Sequence, residues 1–468
     1  MFTERSALVE DREPIRGHGV AVTPGRDGPL VLVAGYGEPN RLYARDGGRF
    51  VDTACGIVAD GAGHGTGACA ADLDADGCEE VYVHNFARDV DGRDADLLLS
   101  RLEADRFRWT DVFARDVNAD RIDVRAGRSV AALDRLGTGR YGVAVSGETA
   151  PLAFYELGDD GELTDMAETV GLGVDGGCRS LLTVPYRSRE GDLFAGVDGG
   201  QNRLFGNDGG HYGRIDAGPA LADPAGDIRG AAVVDEDATF ALAVGNERAP
   251  NRLLRCAPDG EYADVAPAAL RDVGSVRAVV AGDFDNDGSE ELFYNVSGAE
   301  NRLFERIERA GEPSRWEPVD AGAAAEPDGF GTGAIAADLD GDGALELVVV
   351  HGEVAPQPTT VYSVSGAADA GWLRVRPTTR NGAPARGAVV RLETTRGVQR
   401  RTIDAGGGGL CQTEPVAHFG LADAEPLRAD VRWPDGRERS VVGPSGDREI
   451  TVPHPSREAA PRPSRRAR

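Results

Sequence analysis

Residues 336–350 read Ala-Ala-Asp-Leu-Asp-Gly-Asp-Gly-Ala-Leu-Glu-Leu-Val-Val-Val, an acidic loop between two short apolar runs. Counted from Asp338, the loop has Asp at positions 1, 3 and 5, Gly at position 6 and Glu at position 9. Carboxylates held this close together repel one another unless a cation lies among them. The spacing therefore predicts a metal site, and the apolar runs predict that the site joins two strands.

The same spacing occurs twice more in the chain, so we expect three equivalent sites. The predicted side-chain ligands are Asp72, Asp74, Asp76 and Glu80; Asp283, Asp285, Asp287 and Glu291; and Asp338, Asp340, Asp342 and Glu346. The residues at position 7, each expected to add a backbone carbonyl oxygen, are Cys78, Ser289 and Ala344. Calcium takes about six to eight oxygens in flexible carboxylate loops, whereas magnesium requires near-octahedral geometry and keeps its waters. The sequence therefore predicts about three Ca2+ ions.

The EF-hand is the obvious template for such a loop, but these loops do not match it. An EF-hand requires a bidentate Glu at position 12. That position is Val83, Tyr294 and Val349 in the three copies. The flanking segments are short, apolar and rich in β-branched residues, which is typical of strands. Each loop is therefore predicted to connect the two strands of a hairpin.

Composition and charge limit the kinds of partner and environment that this protein can have. The chain has 468 residues, 64 of them Gly, and a formal net charge of −27. This charge argues against nucleic acid as a partner, because phosphate backbones select basic surfaces. Lysine is absent and every basic residue except His is Arg, so we expect a halophilic protein whose charge repulsion is screened by salt, although a GC-rich genome would also replace Lys by Arg. No apolar run is long enough to span a membrane.

A repeat of about fifty residues organises most of the chain. The phrase Asn-Arg-Leu recurs at residues 40–42, 202–204, 251–253 and 301–303, and Asp-Gly turns typical of hairpins follow most copies. One unit is predicted to contain four strands. The seven predicted units begin near Gly19, Gly67, Arg128, Arg179, Gly230, Val276 and Gly333. Such repeats predict an all-β fold with a seven-bladed β-propeller. Alternating apolar and polar positions within residues 371–452 predict that a small antiparallel β domain follows it.

Two groups of motifs resemble known families. The acidic loops, the Asn-Arg-Leu hairpins and residues 331–338 resemble the FG-GAP/VCBS repeats of integrin-type propellers. Residues 381–388, 418–421 and 433–437, with the glycines at 406–409, resemble the ASPIC/UnbV domain. Together they resemble the cartilage acidic protein family over roughly residues 1–452. The resemblance implies a calcium-binding propeller whose relatives are commonly exported.

The predicted domains are a propeller at residues 1–365, an ASPIC/UnbV-like domain at 371–452 and a disordered tail at 453–468. The last unit is one strand short, and residues 2–8 are predicted to supply it by pairing with residues 360–364. This closure would start the folded domain at Met1, which predicts a cytoplasmic location without a signal peptide.

The sequence favours a binding protein over an enzyme. Nucleophile-elbow, P-loop and zinc-protease motifs are missing from the sequence. Four histidines, His18, His64, His84 and His351, are interpreted as polar residues lining the propeller channel. We therefore expect a non-catalytic binding or scaffold protein for a protein or glycan partner. Two alternatives stay open, a glycan-processing enzyme that uses the channel and a purely structural assembly subunit.

Overall fold

The computed structural model describes residues 1–456 except 11, 88–93, 102–107, 122, 149, 174–175, 187–190, 237–238, 258–259, 308–313 and 407–408. The helical segments are α1 (Gly218–Ala222), α2 (Ala268–Arg271) and 3-10 turns at Ser6–Leu8, Asp116–Asn118, Ala323–Ala325 and Ala367–Asp369. Among the described helices, none has the length and apolar character needed to cross a membrane.

The rest of the regular structure is strand, which confirms the predicted all-β class. In chain order the strands are β1 (Phe2–Glu4), β2 (Gly17–Pro24), β3 (Pro29–Gly35), β4 (Arg41–Asp46), β5 (Arg49–Asp52), β6 (Gly65–Ala71), β7 (Glu80–Asn85), β8 (Leu97–Arg101), β9 (Trp109–Asp111), β10 (Val130–Leu133), β11 (Gly142–Val145), β12 (Ala153–Leu157), β13 (Leu163–Asp165), β14 (Cys178–Val184), β15 (Asp192–Val197), β16 (Arg203–Asp208), β17 (His211–Ile215), β18 (Ile228–Glu236), β19 (Thr239–Asn246), β20 (Arg252–Cys256), β21 (Tyr262–Asp264), β22 (Val276–Gly282), β23 (Glu291–Val296), β24 (Arg302–Ile307), β25 (Arg315–Val319), β26 (Gly331–Ala337), β27 (Glu346–His351), β28 (Thr360–Val364), β29 (Gly371–Thr378), β30 (Val389–Thr394), β31 (Val398–Thr402), β32 (Ala417–Ala422), β33 (Pro426–Arg432), β34 (Glu438–Val442) and β35 (Arg448–Pro453).

Strands β1–β28 form seven four-stranded antiparallel sheets within the described part of the chain. Sheets 1 to 6 take four consecutive strands each, from β2–β5 to β22–β25, and sheet 7 has the order β26-β27-β28-β1. The first strand of each sheet lies beside the first strand of the next, and β26 returns to β2. The seven sheets therefore surround one axis, with their first strands innermost.

A separate apolar core fills each space between neighbouring sheets. The cluster between sheets 1 and 2, for example, contains Leu32, Leu42, Val81 and Leu99, all buried. Equivalent clusters lie between the other neighbouring pairs of sheets. Because both faces of each sheet are covered, the central strands are near-continuous apolar runs rather than alternating ones.

The N-terminal strand completes sheet 7. Phe2 pairs with Val364 and Glu4 pairs with Tyr362, in antiparallel register. The Phe2 ring packs edge-on against Phe284 at 5.1 Å between centroids. The predicted pairing of the N-terminal segment with residues 360–364 is thus confirmed, with one correction to the length of the strand. The strand covers residues 2–4 only, because residues 6–8 turn into a 3-10 segment.

Residues 371–453 form two further sheets that share one core. A three-stranded sheet has the order β32-β29-β35, and a four-stranded sheet has the order β31-β30-β33-β34. The domain is not purely antiparallel as predicted, because β29 and β35 run parallel, with Leu373 opposite Arg448. In the described part of the predicted tail, Pro453 ends β35, His454 is buried and Ser456 is exposed, whereas residues 457–468 lie outside the described residues.

Part of this domain enters the middle of the ring. We call residues 404–414, except 407–408, the plug. The N–H of Gln412 donates to Val20 O at 2.7 Å, and its carbonyl accepts from Val22 N at 3.2 Å. The Gln412 amide also bonds both backbone groups of Ala70, at 2.7 and 3.1 Å. On sheet 3, Ala132 N donates to Ala405 O at 2.6 Å. The plug therefore extends the backbone hydrogen bonding of several innermost strands.

Candidate metal centres

Each acidic loop joins the first and second strands of its sheet, as predicted. We call them loop 1 (residues 72–80, sheet 2), loop 2 (283–291, sheet 6) and loop 3 (338–346, sheet 7). Their backbones turn in the same way. The left-handed conformation occurs at position 4 in Ala75, Asn286 and Gly341 and at position 6 in Gly77, Gly288 and Gly343. Position 6 favours glycine because the backbone φ there is 93° in loop 1 and 103° in loop 2, a conformation that is strained for a residue with a Cβ.

The carboxylates at positions 1 and 9 shape the loop by accepting backbone hydrogen bonds. The position-9 Glu accepts from the N–H at position 2, at 2.8 Å in all three loops. The position-1 Asp accepts from the position-6 Gly N–H, at 3.1 Å in loops 1 and 2 and 3.2 Å in loop 3. These bonds hold both carboxylates toward the centre of the loop.

Three of the four predicted carboxylates converge in each loop. The side chains at positions 1, 3 and 9 place one oxygen each within 4.8 Å of one another. These groups are Asp72, Asp74 and Glu80; Asp283, Asp285 and Glu291; and Asp338, Asp340 and Glu346. The position-5 residues Asp76, Asp287 and Asp342 stay outside these three groups and accept the N–H of position 7, at 2.7–2.9 Å. The predicted carbonyl ligands at Cys78, Ser289 and Ala344 stay predictions.

Several of the converging oxygens are buried without a hydrogen-bond partner among the described residues. They are Asp72 Oδ1, Asp283 Oδ1, Glu291 Oε1 and Glu346 Oε1. A buried carboxylate oxygen without a partner is unfavourable, and a bound cation removes that cost. The residues present therefore fit an oxygen-coordinated cation such as calcium.

The electrostatic environment of these carboxyls also favours a bound cation. Burial, followed by the neighbouring carboxylates, raises the pKa of Asp72 to about 7 and that of Glu80 to about 8. Burial also raises the pKa of Asp338 to about 6 and the pKa of Glu291 and Glu346 well above the usual range. Without a cation, the carboxyls of Asp72 and Glu80 take up protons near neutral pH.

Comparison with known proteins identifies the family. Residues 378–459 match the model of the family described as ASPIC and UnbV. Cartilage acidic protein 1 of Mus musculus is 36% identical over 480 residues, covering 94% of this chain and 74% of the relative. The Homo sapiens protein of that name is 36% identical, covering 92% of this chain and 70% of the relative. The Xenopus tropicalis protein matches at 36%, covering 91% and 72%.

The chain belongs to the cartilage acidic protein 1 family. The resemblance inferred from the motifs is thereby confirmed. Among solved structures, the extracellular domain of a putative hybrid two-component system from B. thetaiotaomicron matches with a TM-score of 0.44 and 10% identity. That match covers 75% of this chain and 39% of that chain.

The ASPIC/UnbV-type domain places one buried arginine at each of the three loops. At loop 1, Arg386 binds both oxygens of Glu79, at 2.7 and 3.1 Å, and neither side chain is exposed. At loop 2, Arg401 lies 3.6 Å from Asp283 and 3.4 Å from Glu290. Each of these two arginines thus faces an acid at position 8, next to the predicted position-9 ligand.

Loop 3 has Leu345 at position 8 and uses a different partner. Arg374 binds Glu414 of the plug through two bonds, at 2.6 and 2.9 Å. Its Nε lies 3.5 Å from Asp338, and the N–H of Asp338 donates to Glu414 at 2.9 Å. All three loops therefore lie under the ASPIC/UnbV-type domain.

Sequence reasoning missed these arginines and their partners. The sequence signal for the arginine contacts was an acidic residue beside the position-9 Glu, in Glu79-Glu80 and in Glu290-Glu291. The metal-binding pattern of these loops does not require this second acid. Sequence reasoning also missed Glu305, which forms a further carboxylate group with Asp285 and Asp287 beside loop 2. Glu305 lies on β24, and only the sheet register brings it near the loop.

Proposed function

We propose that the chain is a calcium-stabilised, seven-bladed β-propeller that acts as a non-catalytic scaffold for a protein or glycan partner. Three predicted calcium sites hold the ASPIC/UnbV-type domain against the propeller. The observation that carries this proposal is that Arg386, Arg401 and Arg374 each meet a different acidic loop. The number of blades is supported by the seven four-stranded sheets, each of which packs against the next sheet.

The arrangement couples metal binding to domain packing. Asp283 illustrates the coupling, because its Oδ2 accepts the N–H of Gly420 at 2.8 Å while its Oδ1 is free for a cation. If Asp283 became protonated, the nearby Arg401 would lose an anionic neighbour in a buried position. Such a loss is unfavourable, since a buried charge depends on its counter-ions and, among the described residues, only Glu290 would remain beside Arg401. Calcium at loop 2 would therefore strengthen the contact between the domains.

A non-catalytic role is supported by the plug. The plug occupies the axis of the ring with backbone bonds to β2, β6 and β10. A glycan-processing enzyme acting through the channel would need that space for its substrate. The named relatives are cartilage acidic proteins, and these names describe no reaction. The cytoplasmic location expected from the sequence remains a prediction.

The proposal is tested by calorimetric titration of the full chain with calcium after chelator treatment. We expect a stoichiometry near three and, on loading, slower hydrogen exchange at the contacts of residues 371–453 with the loops. The variants Asp72→Asn, Asp283→Asn and Asp338→Asn should each remove one equivalent. Binding without any change in exchange at these contacts would contradict the coupling. A glycan array and affinity capture with the calcium-loaded chain would then separate a glycan partner from a protein partner.

A further inference from the structure

A second set of charged residues lies around the axis, apart from the acidic loops. One residue near the start of each innermost strand occupies the same place in its sheet. In six of the seven sheets, the pairing of the first and second strands shifts register at this residue. From sheet 1 to sheet 7 these positions hold His18, Thr66, Arg128, Arg179, Arg229, Arg277 and Thr332. Four successive sheets thus supply arginine to the same level of the ring.

Carboxylates alternate with these arginines. Arg128 pairs with Glu148 at 2.9 Å, and Arg179 pairs with Asp198 at 3.0 Å. Further along, Arg277 pairs with Glu247 at 3.0 Å and with Glu353 at 3.3 Å, while Arg229 pairs with Asp198 and Glu247. The pairing fixes the guanidinium groups in place around the axis, so little further ordering is needed for them to bind a ligand.

These side chains surround a cavity of about 80 Å³. Its lining includes the four arginines, two glutamates, His18 and Thr332, and Leu410 of the plug lies on the side of the ASPIC/UnbV-type domain. Within the lining itself, four arginines face only Glu247 and Glu353, while Glu148 and Asp198, which pair with Arg128 and Arg179, lie outside it. The lining therefore offers more hydrogen-bond donors than carboxylate acceptors, which favours an anionic ligand.

Two polar atoms of the lining lack a partner among the described residues. The Nδ1 atom of His18 is buried without a hydrogen bond, and the residue is only 5% exposed. The Nε atom of Arg277 is also buried and without a hydrogen bond. Burial and the nearby Arg128, Arg277 and Arg16 lower the pKa of His18 to about 3, so its ring is neutral at physiological pH. A neutral imidazole can still donate one N–H to an anion.

We propose that this cavity binds a small anion through its carboxylate or phosphoryl oxygens. The bidentate geometry of arginine matches both kinds of group. The volume admits a ligand of only a few non-hydrogen atoms, since each water-sized probe takes about 10–15 Å³. The arginine side chains are 12–30% exposed, so solvent reaches the cavity. The site lies at the beginnings of the innermost strands, whereas the acidic loops follow the ends of such strands, so the two kinds of site are separate.

The test is isothermal titration calorimetry of the calcium-loaded full chain at constant ionic strength. Sodium sulfate serves as a phosphoryl stand-in that is compatible with calcium, and sodium acetate, which has only four non-hydrogen atoms, serves as the carboxylate probe. We expect saturable binding of at least one probe with a stoichiometry of one, and the tighter probe reports which group the site takes. Arg277→Gln should weaken that binding at least about tenfold, because it removes a charge-assisted donor.

The matched control is Arg302→Gln, which removes the same charge from an exposed position on β24 and should leave binding unchanged. Because Arg277→Gln also breaks two ion pairs, His18→Asn provides a second variant that changes no ion pair and should also weaken binding. The proposal is overturned if neither probe saturates in the millimolar range. Equal affinity in His18→Asn and the unaltered chain would also overturn it.

Discussion

Arg386 and Glu79 form a fully buried ion pair across the two domains, with two bonds at 2.7 and 3.1 Å. The remaining donors of Arg386 go to backbone carbonyls of Asp404, Thr413 and Val22, at 2.7–3.1 Å. The carbonyls of Asp404 and Thr413 belong to the plug and that of Val22 belongs to β2, so this one side chain connects loop 1, the plug and β2. Buried ion pairs contribute favourably only when all their donors are satisfied, as they are here.

Replacing Glu79 by Gln should destabilise the protein by about 3–5 kcal/mol, because it leaves the Arg386 charge buried without a counter-ion. The free energy of unfolding from urea denaturation in calcium measures the effect. The control is Glu300→Gln, since the Glu300–Arg302 pair is more than half exposed and should contribute about 0–1 kcal/mol. Equal losses in the two variants would refute a special role for the buried pair.

Chelation should lower the melting temperature in proportion to the number of intact loops. At a free calcium concentration 100 times the dissociation constant, each site stabilises the folded state by about 2.7 kcal/mol. The variant Glu346→Gln, which alters loop 3, should keep about two-thirds of the calcium-dependent shift if the three sites are equal. Differential scanning calorimetry with and without chelator measures the shift. An unchanged melting temperature would argue against structural calcium.

The metal-free protein should lose stability as pH rises. In the folded state the pKa of Asp72 is raised from 3.8 to about 7 and that of Glu80 from 4.5 to about 8. Groups with a raised folded-state pKa stabilise the protein fully below their unfolded pKa, and this contribution is lost as pH passes the folded pKa. We therefore expect falling melting temperatures between pH 5 and 8 in chelator.

Saturating calcium should reverse that dependence, because protons then compete with the cation for the same oxygens. The double variant Asp72→Asn/Glu80→Gln, which cannot titrate at loop 1, should flatten the chelator curve. Parallel pH curves with and without calcium would contradict the assignment of these carboxyls as ligands.

Salt should stabilise the protein if its charge is an adaptation to high ionic strength. The net charge of −27 produces a repulsion that salt screens, the screening length falling to about 3 Å at 1 M. Melting temperatures in low and molar potassium chloride, at saturating calcium, measure this effect. Equal values at both salt concentrations would show that the acid excess has another cause.

Phe2→Ala should destabilise the protein by about 3–5 kcal/mol, as expected for an aromatic residue removed from a well-packed core. Phe2 packs against Phe284 and Phe293 of the neighbouring sheet, at 5.1 and 6.4 Å. The control is Val354→Ala in the same sheet region, because Val354 is 57% exposed. Urea denaturation of both variants tests whether the N-terminal strand closes the ring.

The sequence could predict the loops and the hairpins because their signals are local. The fixed spacing from Asp338 to Glu346 lies within one turn between two strands, and nothing distant alters it. Pairing of β1 with β28 was also predictable, because each unit needs four strands and the last unit has only three of its own.

Contacts between the domains could not be predicted in this way. Glu79 and Arg386 are 307 positions apart, and many acids could have met this arginine. The parallel pairing of β29 and β35 likewise depends on how the whole domain folds, because both strands show only ordinary strand patterns. The shortening of β1 to residues 2–4 was missed for a different reason, since a 3-10 turn at residues 6–8 has no strong sequence signal.

Pairing of Phe2 with Val364 also means that the two strands become available at very different times during protein synthesis. The first strand leaves the ribosome long before its partner exists, and at about 5–20 residues per second the delay is roughly 20–70 s. During that time β28 and β27 are missing and the edge that β1 will complete has not formed. The strand has only three residues, Phe2, Thr3 and Glu4, and one of them is charged, so it is a poor template for pairing with other chains. This limits aggregation of the nascent protein until β28 has been synthesised.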